Sequence, residues 1–304
     1  MLENECCWQE YYELSKHVYS SLGQKIDDRI NLYDLTVEEH NENVNPILDL
    51  QSNEYEEVIN NLSSKVDFLF KTNSNYEIRA RAKGLNNVWL CKQELQDLGN
   101  YLIPQVQQKV FKSFVHVDNI KIYRSEVSSE PDISSWLWHF DNNPQEQVKI
   151  LIYLTDVEEG CGEFTFLRKN GKGIKVPTSR ISYPKKWIEP WENPPPLYSL
   201  REYGISWFGR DRVDPRDVER LQNQHGFHIH RAQGKKGTLF LFDNNIIHKA
   251  TVPKNKYRDV VILQLKPSVE MISPFIGEKS TGNGWQHTTF NKDPAIIEPR
   301  RIAK

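Results

Sequence analysis

After residue 111 the apolar pattern of this chain becomes strand-like, in short runs, the first of them alternating, divided by Gly, Asn, Asp and Pro. The runs are SFVHVDNIKIYRSE, VKILIYLTDV, EFTFL, GTLFLFDNN, IIHKATV and YRDVVILQLKP. A period of two places alternate side chains on opposite faces of a strand, and these runs are rich in β-branched and aromatic residues. Short strands joined by turns suggest an all-β sandwich or barrel. The stretch from 257 to 265 is apolar on both faces, which predicts a strand inside a covered sheet.

Residues 1–110 follow a different period. NEYEEVINNLSSKVDFLF places Tyr55, Val58, Ile59, Leu62, Val66 and Leu69 near a 3.6-residue repeat, and KQELQDLGNYLIPQVQQKVFKSF continues it, with Pro104 marking a break or a first turn. The pattern predicts a mostly helical region, 1–110, packed on a β core at 111–270, with a C-terminal extension at 271–304. Between about 168 and 236 the strand pattern is interrupted. There RKNGKGIKVPTSR is basic and glycine-rich, YPKKWIEPWENPPPLYSL is rich in Pro and Trp, and DPRDVERLQNQHG opens a helix with Asp214 as N-cap and Pro215 in its first turn. An insertion of that length in a compact domain is usually a functional cover or a moving segment.

Composition narrows the function classes. A formal net charge of −2 over 304 residues argues against nucleic acid as the main ligand. No run of about 18 apolar residues is present, so no transmembrane helix is expected. The start, MLENECCWQEYYELSK, lacks the basic and apolar stretches of a signal peptide. Four cysteines, at 6, 7, 91 and 161, show no metal-type spacing and are too few for a disulfide framework. The expectation is a cytoplasmic protein whose partner is a small-molecule substrate rather than nucleic acid or a membrane.

The chemistry begins at WLWHFDNN, where His139 and Asp141 stand two positions apart. In a strand they share a face and direct nitrogen and oxygen ligands toward one point. Nine His and sixteen Asp give about half an H-x-D by chance, and the chain has a second, His116-Val117-Asp118. Context separates the two. A redox iron needs a third ligand and open positions, which two His and one carboxylate on one octahedral face supply. The best third ligand is His248, after the tight turn of FDNNIIHKA. Ten residues later Arg258 opens the next strand, and Arg is the fork-shaped partner that a terminal carboxylate requires. Tyr153 offers a hydroxyl donor to the same carboxylate.

The order IKIYRSE, WHFD, IYLTDVEEGCGEFTFL, GTLFLFDNNIIH, YRDVVILQL resembles the non-haem Fe(II)/2-oxoglutarate-dependent oxygenases, in particular their phytanoyl-CoA dioxygenase-like and prolyl hydroxylase-like members. The likeness covers roughly 115–267 without the insertion. It implies a mainly β core of double-stranded β-helix type, a cupin-like jelly roll with flanking α-helices, α+β overall. It implies that His139, Asp141 and His248 are the catalytic iron ligands, and that Arg258, with Tyr153 beside it, binds 2-oxoglutarate. The cofactors implied are Fe(II), 2-oxoglutarate as cosubstrate and O2. The implied reaction is hydroxylation of an unactivated C–H bond of a polar small molecule, coupled to conversion of 2-oxoglutarate and O2 to succinate and CO2. With Asp141 present hydroxylation is the first expectation, while desaturation, ring closure and epimerisation stay open. A peptide or carrier-bound amino acid is an alternative substrate. A cupin-like metal-dependent isomerase or binding protein without oxygen chemistry is the alternative class.

Other residues carry plainer expectations. His116 and Asp118 read as a solvated strand edge, and Arg124 as a surface residue unless it turns into the pocket. His225, His228 and His230 read as a loop-to-strand segment beside the site, with one of them in reach of substrate. Trp136 and Trp138 read as core or wall, and Trp187 and Trp191 as either a substrate cover or surface packing.

Overall fold

The computed structural model describes residues 8–40, 47–72, 76–79, 82–177, 197–208, 211–270, 280–281 and 286–288. Helix α1 (Trp8–Ser21) is followed by strand β1 (Val37–His40), helix α2 (Asn53–Thr72), the hairpin β2 (Tyr76–Arg79) and β3 (Ala82–Leu85), and helix α3 (Lys92–Val106). Then come β4 (Phe114–Ser125), β5 (Val148–Tyr153), β6 (Phe164–Lys169), β7 (Lys172–Gly173), β8 (Leu197–Leu200), β9 (Ile205–Phe208) and helix α4 (Pro215–His225). Strands β10 (His228–Ala232), β11 (Leu239–Asp243), β12 (His248–Ala250), β13 (Arg258–Ser268), β14 (Ser280–Thr281) and β15 (Gln286–Thr288) complete the order. Among the described residues no helix is long and apolar enough to cross a membrane.

Two antiparallel sheets carry the site. The larger runs β1-β11-β5-β13-β4-β15-β14, with β3 also pairing with β4 and β2 with β3; the smaller runs β10-β6-β12, with β7 on β6. Alternation along β5 and β11 sorts their side chains into two cores. Ile150, Ile152, Leu239 and Leu241 pack with Ile59, Leu62, Leu98 and Leu102 of α2 and α3, whereas Leu151, Tyr153, Phe240 and Phe242 pack with Phe164 and Phe166 of β6. The larger sheet is therefore covered by helices on one face and by the smaller sheet on the other. Each such side chain contributes about 1.5–3 kcal/mol when buried, and a one-residue slip would exchange the two faces, so register is tightly specified. This is the double-stranded β-helix, or jelly roll, with flanking helices.

The helical faces lie where the 3.6-residue repeat puts them: Tyr55, Ile59, Leu62, Val66 and Leu69 of α2 are buried. Pro104 sits in the last turns of α3, and the chain passes through one π-helical turn, Gln107–Phe111, before Lys112 (φ 55°) ends it. Two additions to the sequence reading come from short strands. Besides its helices the region 1–110 carries β1, β2 and β3, which join the larger sheet. The interruption ends before 236, because β10 pairs with β6 along Ala232↔Phe164 to His228↔Arg168 and belongs to the core. Its segment with Trp187 and Trp191 lies outside the described residues, as does all of 271–304 except β14 and β15.

Arg124 is neither in the pocket nor on the surface. It is 8% exposed, and its Nε and Nη2 donate to the two Asp259 oxygens at 2.7 Å each, with Nη2 also donating to Asp67 of α2 at 2.9 Å. The Tyr257 ring lies 4.0 Å from the guanidinium carbon. This buried fork ties α2 to β4 and β13. His116 is likewise buried within β4 rather than solvated.

His40, at the end of β1, is buried, and burial together with nearby Lys109 pushes its imidazole down to about 4. The folded chain then refuses a proton that the unfolded chain accepts near pH 6.5, so this contribution to stability is present above that pH and is lost as pH falls toward 4. Wild type is expected to lose about 2 kcal/mol more between pH 7 and pH 5 than a His40→Asn variant. Urea denaturation at the two pH values checks this, and parallel losses would refute it.

Candidate metal centre

His139 and His248 face each other across a backbone pair. His139 N–H donates to the His248 carbonyl and His248 N–H to the His139 carbonyl, both at 2.9 Å. The two rings stand side by side with centroids 4.3 Å apart. Two residues on, Asp141 N–H donates to the Asn244 carbonyl at 2.9 Å, which keeps its side chain on the same face. Beyond it the chain turns at Asn142 (φ 51°), and Asn143 and Asn245 exchange hydrogen bonds of 3.0 and 2.8 Å that lock the two Asn-rich turns together. Asp243 accepts from Asn245 N–H at 2.7 Å and fixes the turn that delivers His248.

Each imidazole is already oriented. Nδ1 of His139 donates to the Leu137 carbonyl at 2.8 Å and Nδ1 of His248 to the Ile246 carbonyl at 2.9 Å. A carbonyl only accepts, so Nδ1 carries the hydrogen and Nε2 keeps its lone pair for a metal. One ligand atom from each of His139, Asp141 and His248 lies within 4.8 Å of the others, the one such group found among the described residues. Burial, with neighbouring His248, drives the His139 imidazole down to about 3, and burial also lowers His248. Burial alone would raise the Asp141 carboxyl, but Lys149 and the two imidazoles hold it well below the usual range. Two neutral imidazoles and an ionised carboxylate are the protonation states that a metal requires. Bound by these three on one face, an octahedral ion keeps its other positions open.

The triad opens into a cavity of about 240 Å³ between the sheets. Register sets the strands on that side in rows across β4, β13 and β5: Ser125 beside Arg258, then Tyr123, Val260 and Tyr153, then Lys121, Ile262 and Leu151, then Asn119, Gln264 and Lys149; of these, Arg258, Tyr123, Lys121, Ile262, Leu151 and Lys149 line the cavity. Lys149 donates to Asp141 Oδ2. Arg258, at the other end of these rows, is 1% exposed yet lines the cavity. Its guanidinium donates to the Gly162 carbonyl, lies 3.5 Å from Ser125 Oγ, and leaves its Nε without a partner. Gly162 is held at φ 87°, where a Cβ would stand 2.7 Å from Pro253 Cγ. Gly162→Ala is expected to cost roughly 2–4 kcal/mol through strain and overpacking. Thermal unfolding checks this, and an unchanged midpoint would contradict it.

The structure separates Tyr153 from the cavity. It is fully buried, and its hydroxyl donates to the Ala232 carbonyl at 2.7 Å and accepts from Phe164 N–H at 2.8 Å. The tyrosine that lines the cavity is Tyr123, next to Arg258's row, with burial raising its hydroxyl so that it stays a protonated donor. Lys121, Tyr123, Lys149, Ser134 and Ser135 also line the cavity and were not singled out from sequence. Alternation held a signal for three of them, since Lys149 shares a face with Tyr153, and Lys121 and Tyr123 share one with each other. Trp136 is a buried wall residue of the cavity, and Trp138 packs under Lys249.

His225, His228 and His230 do not line the cavity. His225 meets the Tyr203 ring at 5.1 Å, His228 is exposed, and His230 Nε2 lies 2.9 Å from Glu39 of β1. His116 belongs to no metal-type group among the described residues.

No family model matches the chain, and no curated protein does. Solved structures do. The epimerase SnoN in complex with Fe3+, alpha ketoglutarate and nogalamycin RO aligns over 86% of this chain and 85% of its own, at 10% identity and a TM-score of 0.47. HygX from Streptomyces hygroscopicus, with nickel and 2-oxoglutarate bound, aligns over 84% and 93% at 11% identity and a TM-score of 0.45. EctD from S. alaskensis, with 2-oxoglutarate and 5-hydroxyectoine, aligns over 77% and 73% at 12% identity and a TM-score of 0.45. The chain is similar to these proteins at low identity, while its candidate metal triad rests on its own geometry.

Proposed function

We propose that this chain is an Fe(II)/2-oxoglutarate-dependent oxygenase that hydroxylates an unactivated C–H bond of a polar small molecule. The observation that carries the reading is the joint presence, in one cavity, of the His139–Asp141–His248 face and the buried guanidinium of Arg258. A metal-dependent isomerase has no use for a carboxylate anchor at that end.

His139, Asp141 and His248 would hold the iron, which when bound supplies the oxygen chemistry. The chain's own residues do the rest. Arg258, pre-oriented by Gly162, receives the distal carboxylate of 2-oxoglutarate as a fork, and Tyr123 stands beside it as a hydroxyl donor. Lys149 keeps Asp141 ionised and aimed. Phe164, Phe242, Leu151 and Ile262 line the space between and keep water from the reacting centre. The small volume favours a small molecule over a peptide segment.

Supplying Fe(II), 2-oxoglutarate and O2 is expected to give succinate and CO2 in equal amounts, above the level seen with Asp141→Ala. Chromatographic assay of succinate tests it. Full metal occupancy with no succinate above that of the variant would contradict the reading.

A further inference from the structure

Two of the metal ligands stand in a row that crosses the smaller sheet. Register sets His230 of β10 against Phe166 of β6, Phe166 against His248 of β12, His248 against His139, and His139 against Arg212. Residues paired across antiparallel strands point to the same face, so one face carries all five. His230 ends the row against Glu39 of β1, and Arg212 ends it on the other side.

Arg212 lies between β9 and α4, and the hydrogen bonds that flank its pairing fix how close it comes. Phe140 N–H donates to the Asp211 carbonyl at 3.1 Å and Val213 N–H to the Trp138 carbonyl at 3.0 Å, while His139 and Arg212 exchange no backbone bond. That is the non-hydrogen-bonded kind of antiparallel pair, in which the two side chains approach most closely. Backbone geometry therefore sets a guanidinium beside the imidazole of His139. Burial foremost, and then neighbouring charges that include Arg212, keeps both imidazoles unprotonated.

A cation so placed repels a divalent ion held by the same imidazoles, and an oxyanion bound to it offsets that repulsion. Arg212 is also within reach of one. Its side chain is 33% exposed, and its Nη1 pairs with Oδ1 of its neighbour in sequence, Asp211, at 3.0 Å. An exposed pair of this kind contributes little, so an incoming oxyanion replaces it at small cost.

We propose that Arg212 recognises the substrate: it pairs with an oxyanion group that the substrate carries, a carboxylate or a phosphate, and so sets the reacting end beside the His139–Asp141–His248 face. Calling the bearer of that group the substrate rests on the oxygenase reading; the anion site itself does not.

The test is titration of wild type, Arg212→Gln and Arg212→Lys with acetate, methylphosphonate and neutral acetamide, read by saturation transfer to the methyl protons. Each protein is loaded with redox-inert Zn(II), with and without 2-oxoglutarate, after circular dichroism shows that all three are folded. Acetate or methylphosphonate is expected to bind wild type and acetamide not, and the anion that binds more tightly identifies the group. Half-saturation is expected at least about tenfold higher in Arg212→Gln, with Arg212→Lys between the two because it keeps the charge without the fork. Affinity for 2-oxoglutarate is expected to stay within about twofold in all three, and Zn(II) is expected to bind Arg212→Gln at least as tightly as wild type. Equal anion binding by wild type and Arg212→Gln, or no binding of either anion by wild type, overturns the proposal. Weakened 2-oxoglutarate binding in Arg212→Gln also overturns it, because Arg212 would then serve the cosubstrate. If 2-oxoglutarate fails to bind wild type while the Arg212-dependent anion still does, the oxygenase reading falls and the anion site stands.

Discussion

His248→Ala is expected to bind Fe(II), or Co(II) as a spectroscopic substitute, at least about a hundredfold more weakly than wild type, and to form no succinate above background. Three features set that magnitude. His248 Nε2 is the lone pair that the Ile246 carbonyl leaves available, and two remaining ligands no longer define an octahedral face. The ring is also buried against Phe164 and Phe242, so water has little room to take its place as a ligand. Backbone pairing with His139 does not depend on the side chain, so far-UV circular dichroism is expected to be unchanged. Metal titration by calorimetry decides it; wild-type affinity in a folded His248→Ala would remove this residue from the site.

Arg258→Ala is expected to raise the 2-oxoglutarate concentration for half-saturation by about a hundredfold or more, with metal affinity unchanged. Removing one partner of a buried, hydrogen-bonded charge pair costs about 2–5 kcal/mol, and tenfold corresponds to about 1.4 kcal/mol. The Gly162 carbonyl loses its donor, so a modest fall in thermal stability accompanies the binding defect. Arg258→Lys keeps the charge without the fork and is expected to fall between the two. Equilibrium binding to the Zn(II) protein separates these outcomes. A half-saturation point unmoved in Arg258→Ala would place the anchor elsewhere in the cavity.

Much of the core was legible because alternation is a local property. The two-faced apolar stretch 257–265 lies in β13 from Arg258 onward, covered by helices on one side and by β6 on the other. Strands β1, β2 and β3 were not legible, since four residues such as VEEH carry too little period to register and are held by backbone pairing with neighbours. The metal face had its residues in the sequence but not its proof. H-x-D is near chance, and only the assembled backbone pair between His139 and His248 brings His248 beside it. Tyr153 shows the limit of parity. Its face was right and its depth was not, because depth depends on which row of β13 it meets, and that register comes from the assembled sheet. Arg124 shows the same limit from the other side, one position out of phase with Tyr123 and therefore turned toward α2.

The most direct test of the centre is anaerobic addition of Fe(II) and 2-oxoglutarate to metal-free protein, followed by visible spectroscopy. The chelate of a keto acid on ferrous iron gives a weak charge-transfer band. The geometry predicts that band in wild type, its absence in His139→Ala, and its appearance in Arg258→Ala only at much higher 2-oxoglutarate. Tight, stoichiometric metal binding with no band in wild type would contradict the assignment and leave a metal protein of another chemistry.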